Sequence, residues 1–324
     1  LSFRELLTDY YQIHAEEKVV VAERNGFMSD GLFYFTIDSV NFEIIFMEQA
    51  VLAYYLIENG YRHIALPIRN RQDEWFSDYR GNKYLLYQLS ERNLEKDNPG
   101  KSLAAFHQIG SSYQFEPKTI SSYGQWKKLW VDKLTLFEER IAQFTMENET
   151  ENNSLLIDAL PYIIGMSENA IQYLRETEEE EFRYAEFDQG TIAFLRYTYD
   201  LQHEAIWPDQ FVYDHPARDI AEHIRMLFLT NQSDRVLTEF IQEYQMTRPI
   251  SFFTWRLIYA RLLFPLHLFD AMEQCLRYEN NQEGYKAFSG LLEQQANYEK
   301  RLQHFYKKAG ILKEESDLIE VGWL

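Results

Sequence analysis

One residue in 324 is cysteine, Cys275, so an internal disulfide framework is excluded. It stands in a helical stretch between Met272 and Leu276 and is expected to be a buried thiol. Long apolar runs are missing as well. The best, Leu262-Leu263-Phe264-Pro265-Leu266, is broken by proline and far too short to span a bilayer. Basic residues are scarce: 32 lysines and arginines stand against 51 acids, a formal charge of −19. No basic cluster is longer than Lys127-Lys128 or Lys307-Lys308, so nucleic acid and anionic membrane are not expected as partners. The 13 glycines never form Gly-x-Gly-x-x-Gly. The opening Leu1-Ser2-Phe3-Arg4 lacks the pattern of a secretory leader, and the chain reads as intracellular, not secreted.

What is present is core-forming. Hydrophobic residues make up 46% and aromatics 16%, enough to fold most of the chain around a substantial interior. Helical spacing is expected from residue 3 to about 14. Strands follow at Val19–Val21 and Leu32–Ile37, with Arg24-Asn25-Gly26 and Ser29-Asp30-Gly31 as turn signals between them. Ile44, Met47, Val51 and Tyr55 mark a helix from Phe42 to Ile57, closed by Asn59-Gly60. Ile64–Ile68 and Tyr84–Leu89 read as two more strands, with Trp75-Phe76 as a third between them.

The polar stretch from Ser90 to Gly100 is the natural hinge. Helices dominate beyond it, at Ser102–Ile109, Trp126–Phe144 and Leu155–Leu174, with a polar loop expected over Met146–Ser154. The acidic run Glu176–Glu181 reads as a solvated helix end or loop. Short strands are expected at Thr191–Leu195 and Gln210–Tyr213, and helices again from Arg218 to about Gly310.

The segment Tyr213-Asp214-His215-Pro216-Ala217-Arg218-Asp219-Ile220-Ala221 is the most specific in the chain. A Pro-x-Arg-Asp leading into an amphipathic helix resembles the segment after the metal-binding strand of aminoglycoside/choline-kinase-like proteins. With the helix Leu103-Ala104-Ala105-Phe106-His107 and the Tyr84–Leu89 strand, nearly the whole chain resembles the spore-coat-associated CotS/YutH family. The resemblance implies an α+β, bilobal, protein-kinase-like fold. A small antiparallel-sheet lobe would span 1–90 and a large, mainly helical lobe 91–324, with the catalytic segment at about 188–225. It also implies that Arg218 and Asp219 are structural, Asp219 bracing a helix start, where an acid also suits the helix dipole.

Phosphoryl transfer would need a lysine for the nucleotide phosphates, an aspartate as base, and an asparagine and aspartate for magnesium. No lysine occurs between Lys18 and Lys83, and the third-strand position falls near Phe35 or Thr36. Arg24, Arg62, Arg69, Arg71 and Arg80 are the only other cations there besides histidine, and Glu43 and Glu48 read as solvated helix-face acids. None of the eight histidines is followed two residues later by aspartate, and by context the family's motif would fall on Phe194-Leu195-Arg196. Arginine is a fixed cation and cannot accept a proton. The family's spacing back from Arg218-Asp219 puts Trp207 where the metal-binding aspartate belongs. Indole offers one N–H and no ligand oxygen.

Thr36, Arg196 and Trp207 are therefore read as degenerate kinase positions, with no catalytic, cofactor or metal residue assigned. The expectation is a pseudokinase without cofactor: a structural or scaffolding protein passing from mother-cell cytoplasm to spore coat, its partners other coat proteins. Two alternatives stand beside it. One is a small-molecule kinase using ATP and magnesium with relocated groups: Asp209 or Asp214 on the metal, Asp200 or Asp188 as base, and an arginine on phosphate. The other is a module binding a ligand or peptide in the interlobe cleft, lined by Trp207 and Arg196. The spacing of His215, Asp219 and His223 by four is a further, weaker pattern for a transition metal.

Overall fold

The computed structural model describes residues 3–38, 43–94, 97–147, 151–179, 186–277, 281–311 and 320. They divide into two compact units. The first, Leu1–Ser122 with Gly190–Asp214 and Met246–Arg248, contains the small lobe expected over 1–90 together with the next helix and a later strand pair.

In chain order the first unit runs α1 (Phe3–Leu6, continued by a π-helical turn to Tyr11), β1 (Glu17–Val21), β2 (Arg24–Ser29), β3 (Leu32–Asp38), α2 (Glu43–Glu58), β4 (Leu66–Ile68), β5 (Phe76–Tyr79), β6 (Asn82–Leu89), α3 (Pro99–Gly110), and then β7 (Thr191–Phe194) and β8 (Phe211–Asp214). The large sheet has the order β1-β2-β3-β6-β4, with β5 also on β6, and all its pairings are antiparallel. Strands β7 and β8 form a separate antiparallel pair.

Three hairpins turn on two residues that both have positive φ: Ala22-Glu23 (43° and 65°), Asp30-Gly31 (50° and 77°) and Arg80-Gly81 (54° and 85°). That backbone twist matches the twist of the flanking strands. The first of these corrects the turn expected at Arg24-Asn25-Gly26, which lies inside β2. Gly26 is there for space, not for turning. A Cβ on it would lie 2.5 Å from the Phe35 ring. The turn at Asp30-Gly31 and the left-handed Gly60 after α2 (φ 102°) fall where the sequence signals them.

Strand β3 buries neighbouring residues, Tyr34 and Phe35, so the sheet is covered on both faces. One face packs Phe27, Tyr34 and Leu86 on Leu7. The other packs Val21, Phe35, Leu85, Tyr87 and Leu89 on Phe46 of α2 and on Ala205 and Trp207.

The second unit, Tyr123–Gln189, His215–Gln245 and Pro249–Leu324, is helical. Its elements are α4 (Trp126–Glu147), α5 (Glu151–Glu178), α6 (Ala217–Leu229), α7 (Asp234–Thr247), α8 (Phe252–Leu263), α9 (Leu266–Arg277), α10 (Gln282–Leu302) and α11 (Phe305–Lys308). Helix α8 is buried from Phe253 to Leu263 and packs on α5 and α6. Its Arg261 is held 2.9 Å from Glu222 of α6, so that buried acid is paired. Cys275 is buried in α9, and burial pushes its thiol up to about 11. Among the described residues no helix is long and apolar enough to cross a membrane.

The loop expected over 146–154 is shorter than its polarity suggests. Helix α4 reaches Glu147 and α5 starts at Glu151, while 148–150 lie outside the described residues. Of the acidic run, α5 carries residues up to Glu178, and 180–181 also lie outside.

Candidate functional site

Strand β3 offers two positions for a phosphate-holding side chain, and the sheet register separates them. Phe35 stands opposite Tyr87, and Thr36 opposite Leu86. Directly opposed residues share a face. Thr36 therefore belongs to the face of Tyr34 and Leu86, while Phe35 belongs to the face covered by Trp207. The structure brings together Phe35 and Trp207, not Thr36 and Trp207.

Trp207 is 6% exposed and part of the hydrophobic core on that face. Its ring meets Phe35 edge-on at 4.8 Å. It precedes a short 3-10 turn, Pro208–Gln210, that leads into β8. The Arg24 guanidinium lies 4.4 Å from the Trp207 ring centroid, and its Nη2 donates to Asp209 Oδ2 at 2.8 Å. Arg24 is thus stacked on an aromatic face and charge-paired at once. Gln49 of α2, 2% exposed, donates its amide to the carbonyls of Asp209 and Phe211, both at 3.1 Å. Four buried atoms around Trp207 find no hydrogen-bond partner among the described residues: Gln49 Oε1, Tyr87 Oη, Trp207 Nε1 and Asp209 Oδ1.

The remaining candidates have partners of their own. Arg196 follows β7 and its Nη1 donates to the carbonyl of Leu195. Asp200 opens a 3-10 turn, and its Oδ2 accepts the Thr198 amide at 2.7 Å. Asp214 is fully buried at the end of β8 and accepts from the Ser122 hydroxyl at 2.7 Å. Among the described residues no group of three or more His, Cys, Asp or Glu side chains converges to hold a metal ion. Asp209 and Asp214 are therefore not joined with Asp200 in a cation site, nor His215 with Asp219 and His223.

In the second unit Asp188 is 1% exposed and accepts from Thr254 and Ser251, the residue capping α8. Its Oδ1 thus serves the start of α8. His215 stands just before α6 and its Nδ1 accepts the Ala217 amide at 3.1 Å, so the imidazole serves an otherwise orphan helix N–H. Arg218 and Asp219 are the second and third residues of α6 and both are buried. His223 stacks on Phe240 at 3.9 Å, and burial brings its pKa down to about 3.

Of the acids of α2, Glu43 is an exposed helix-face group, as its sequence context suggested, whereas Glu48 has a structural role. Glu43 pairs with Lys83 of β6. Glu48 accepts the successive amides of Lys118, Thr119 and Ile120, with its closest contact at 2.9 Å. In this fold a helix glutamate ordinarily partners the phosphate-holding lysine. Here that part of α2 staples backbone: Glu48 holds 118–120 and Gln49 holds 209–211. No sequence signal marks Gln49 or Glu48 for these jobs, because their partners lie 70 or more residues away.

Chemically the cluster is a packed aromatic pair beside one neutralised ion pair. Arg24 has one nitrogen on Asp209 and its face on Trp207, so its charge is already neutralised by that carboxylate. For magnesium, Asp209 offers one oxygen outside its ion pair and Trp207 offers none. The Trp207 side chain itself offers no ligand to a nucleotide–magnesium complex.

Comparison with known proteins agrees on family and fold. Residues 4–305 match the family described as "Spore coat putative kinase YutH". The "Endospore coat-associated protein YutH" of Bacillus subtilis (strain 168) is 34% identical over 252 residues, covering 75% of this chain and 72% of that protein. Among solved structures, an aminoglycoside phosphotransferase from Alicyclobacillus acidocaldarius superposes with a TM-score of 0.63 at 13% identity, covering 92% of this chain and 93% of the other. Amicoumacin kinase hAmiN gives 0.57 at 10% identity, covering 93% and 94%. A microcompartment-associated aminopropanol kinase gives 0.55 at 11%, covering 95% and 98%. At such identities the structural likeness establishes the fold: an antiparallel-sheet N-terminal region and a mostly helical remainder, of the aminoglycoside-phosphotransferase kind.

Proposed function

The chain belongs to the spore coat YutH family, and from that premise we propose that it is a pseudokinase, a scaffolding component of the bacterial spore coat that keeps the kinase frame without its chemistry. One observation carries the reading. The residue standing where the fold's metal ligand is expected, Trp207, is instead a core side chain wedged on Phe35, and the nearest cation, Arg24, is committed to Asp209. No lysine between Lys18 and Lys83 replaces it. Each missing group ordinarily supplies several kcal/mol of transition-state stabilisation, so their joint loss leaves negligible phosphoryl transfer. Its binding partners are then other coat proteins, reached from the mother-cell cytoplasm.

A phosphotransferase with relocated groups has one observation in its favour: Asp209 Oδ1 is buried without a hydrogen-bond partner among the described residues. Titration with magnesium-ATP in a thermal-shift assay separates the two readings. Ligand that binds only the folded chain at a hundredfold its Kd stabilises by about 2.7 kcal/mol. No shift at millimolar nucleotide is expected. A shift together with magnesium-dependent ATP hydrolysis that disappears in Asp209→Asn overturns the pseudokinase reading.

A further inference from the structure

Within the second unit, a side-chain bridge joins α5 to α10, and an open slot of about 360 Å³ lies beside it. The bridge is the Tyr162 hydroxyl, which donates to the Glu299 carboxylate. Burial and that acid raise the phenol's pKa well above its usual value, so it remains a donor.

The two walls carry the same pattern. Helix α5 presents Leu155, Asp158, Ala159 and Tyr162. Helix α10 presents Leu292, Gln295, Ala296 and Glu299. Both sets follow i, i+3, i+4, i+7, the spacing of one helix face. Two such faces with a gap between them are the complement of a third helix of like period, whose ridges can enter the grooves of both. The small Ala159 and Ala296 sit at equivalent steps in the two walls and leave room for a close backbone. Gln295 is fixed from behind, its Oε1 held 2.9 Å from His267 Nε2, so that wall is set before anything docks.

Charge decides the occupant. The ionisable carboxylates on the walls are Asp158 and Glu299, and among the described residues no lysine or arginine lines the slot. A second copy of this chain would bring another 19 net negative charges against them. We propose that this slot is a docking groove for a basic amphipathic helix of another protein, with apolar anchors one and two turns apart and lysine or arginine flanking them. The proposal deepens the scaffold reading by naming its partner's chemistry. It rests on α5 and α10 alone, so it can fail while the nucleotide test succeeds, and the reverse.

The probes are three labelled peptides of about five helical turns. The first is built from leucine and lysine with leucines at the matching spacing, the second has the same composition scrambled, and the third replaces lysine by glutamate. Fluorescence anisotropy at physiological salt reads their affinity for the intact chain. The striped basic peptide is expected to bind at least about tenfold more tightly than the scrambled one, with no binding by the acidic one. Ala296→Trp, at an exposed position, fills the slot and is expected to weaken binding about tenfold or more with unchanged circular dichroism and melting. Asp158→Asn should weaken it less and flatten its salt dependence. Equal affinity for striped and scrambled peptides, or an Ala296→Trp protein that binds as before, overturns the proposal in favour of diffuse attraction to an acidic surface.

Discussion

Phe35 and Trp207 meet edge-on, with ring centroids 4.8 Å apart and planes at 78°. They join a strand of the sheet to a segment 172 positions later in the chain, and both are nearly inaccessible to solvent. The contact makes Trp207 part of the core that holds the sheet to this later segment.

Trp207→Ala should therefore cost stability rather than activity. Truncating a buried tryptophan typically removes about 3–5 kcal/mol. Urea unfolding should show the midpoint falling with the slope unchanged, and an unmoved midpoint would count against the core role. Trp207→Asp should destabilise at least as much. It should not create magnesium-ATP binding in a thermal-shift assay, because one carboxylate supplies neither the second ligand nor a phosphate-holding cation.

Glu48 holds three consecutive backbone amides, so Glu48→Ala leaves those of Lys118 and Thr119 to solvent and the part-buried Ile120 amide without this acceptor. A loss of about 1–3 kcal/mol is expected. Hydrogen exchange should speed up selectively at 118–120, with Glu48→Gln intermediate because it keeps one acceptor oxygen. Unchanged exchange at those amides would remove the clamp.

At Gly110 two opposing effects can be weighed. Alanine is the better helix former by about 1 kcal/mol. Yet a Cβ there would lie 2.4 Å from Thr191 Oγ1 and 2.8 Å from the Ile192 backbone nitrogen. The hydroxyl can rotate away, but the strand backbone cannot, and overpacking typically costs about 1–3 kcal/mol. Gly110→Ala should lower the melting temperature, and a rise would mean that α3 and β7 are less closely apposed.

The buried histidines set a pH dependence with a definite sign. Burial lowers His223 to about 3, and burial with the nearby Arg225 guanidinium lowers His267 to about 4. In the unfolded chain both return to their ordinary value of about 6.5 and take up protons first. Their contribution is complete above about 6.5 and is lost as pH falls toward the folded values, at about 1.4 kcal/mol per pH unit for each group. Urea unfolding at pH 7 and pH 5 should reveal this loss. His267→Gln should reduce the slope by one proton's worth, whereas a slope unchanged in that variant would assign the acid sensitivity to the carboxylates.

The order of elements in the N-terminal unit was readable from local signals, since the helix of α2 and its Gly60 cap, the strands of β3 and β6 and the start of α6 after Pro216 all follow nearby periodicity and caps. The first hairpin was not. Ala22-Glu23 carries no glycine or asparagine, and it adopts positive φ because the strands on either side pair. The true turn glycine motif nearby, Asn25-Gly26, was drawn into β2 because Phe35 needs the space.

The catalytic comparison divides in the same way. The lack of lysine between Lys18 and Lys83 and the tryptophan at position 207 are facts of composition and spacing. That Phe35 rather than Thr36 faces Trp207 depends on strand register, which the hydrophobic run Leu32–Ile37 leaves open because residues on both faces are apolar. Likewise the solvated appearance of Glu48 is a property of its helix, while its clamp belongs to a partner segment 70 residues on.

By itself the sequence carried the resemblance to the family and its kinase-like frame in segments such as Tyr213–Ala221, and its composition and spacing determined the acidic balance and the lack of lysine between Lys18 and Lys83. Tertiary structure alone decided that Trp207 is core, that Arg24 is held by Asp209, that Glu48 and Gln49 are backbone staples and that α5 and α10 leave a slot. Those are pairings between distant residues, and burial and charge neutralisation assign a side chain its role only once the chain has brought its partner beside it.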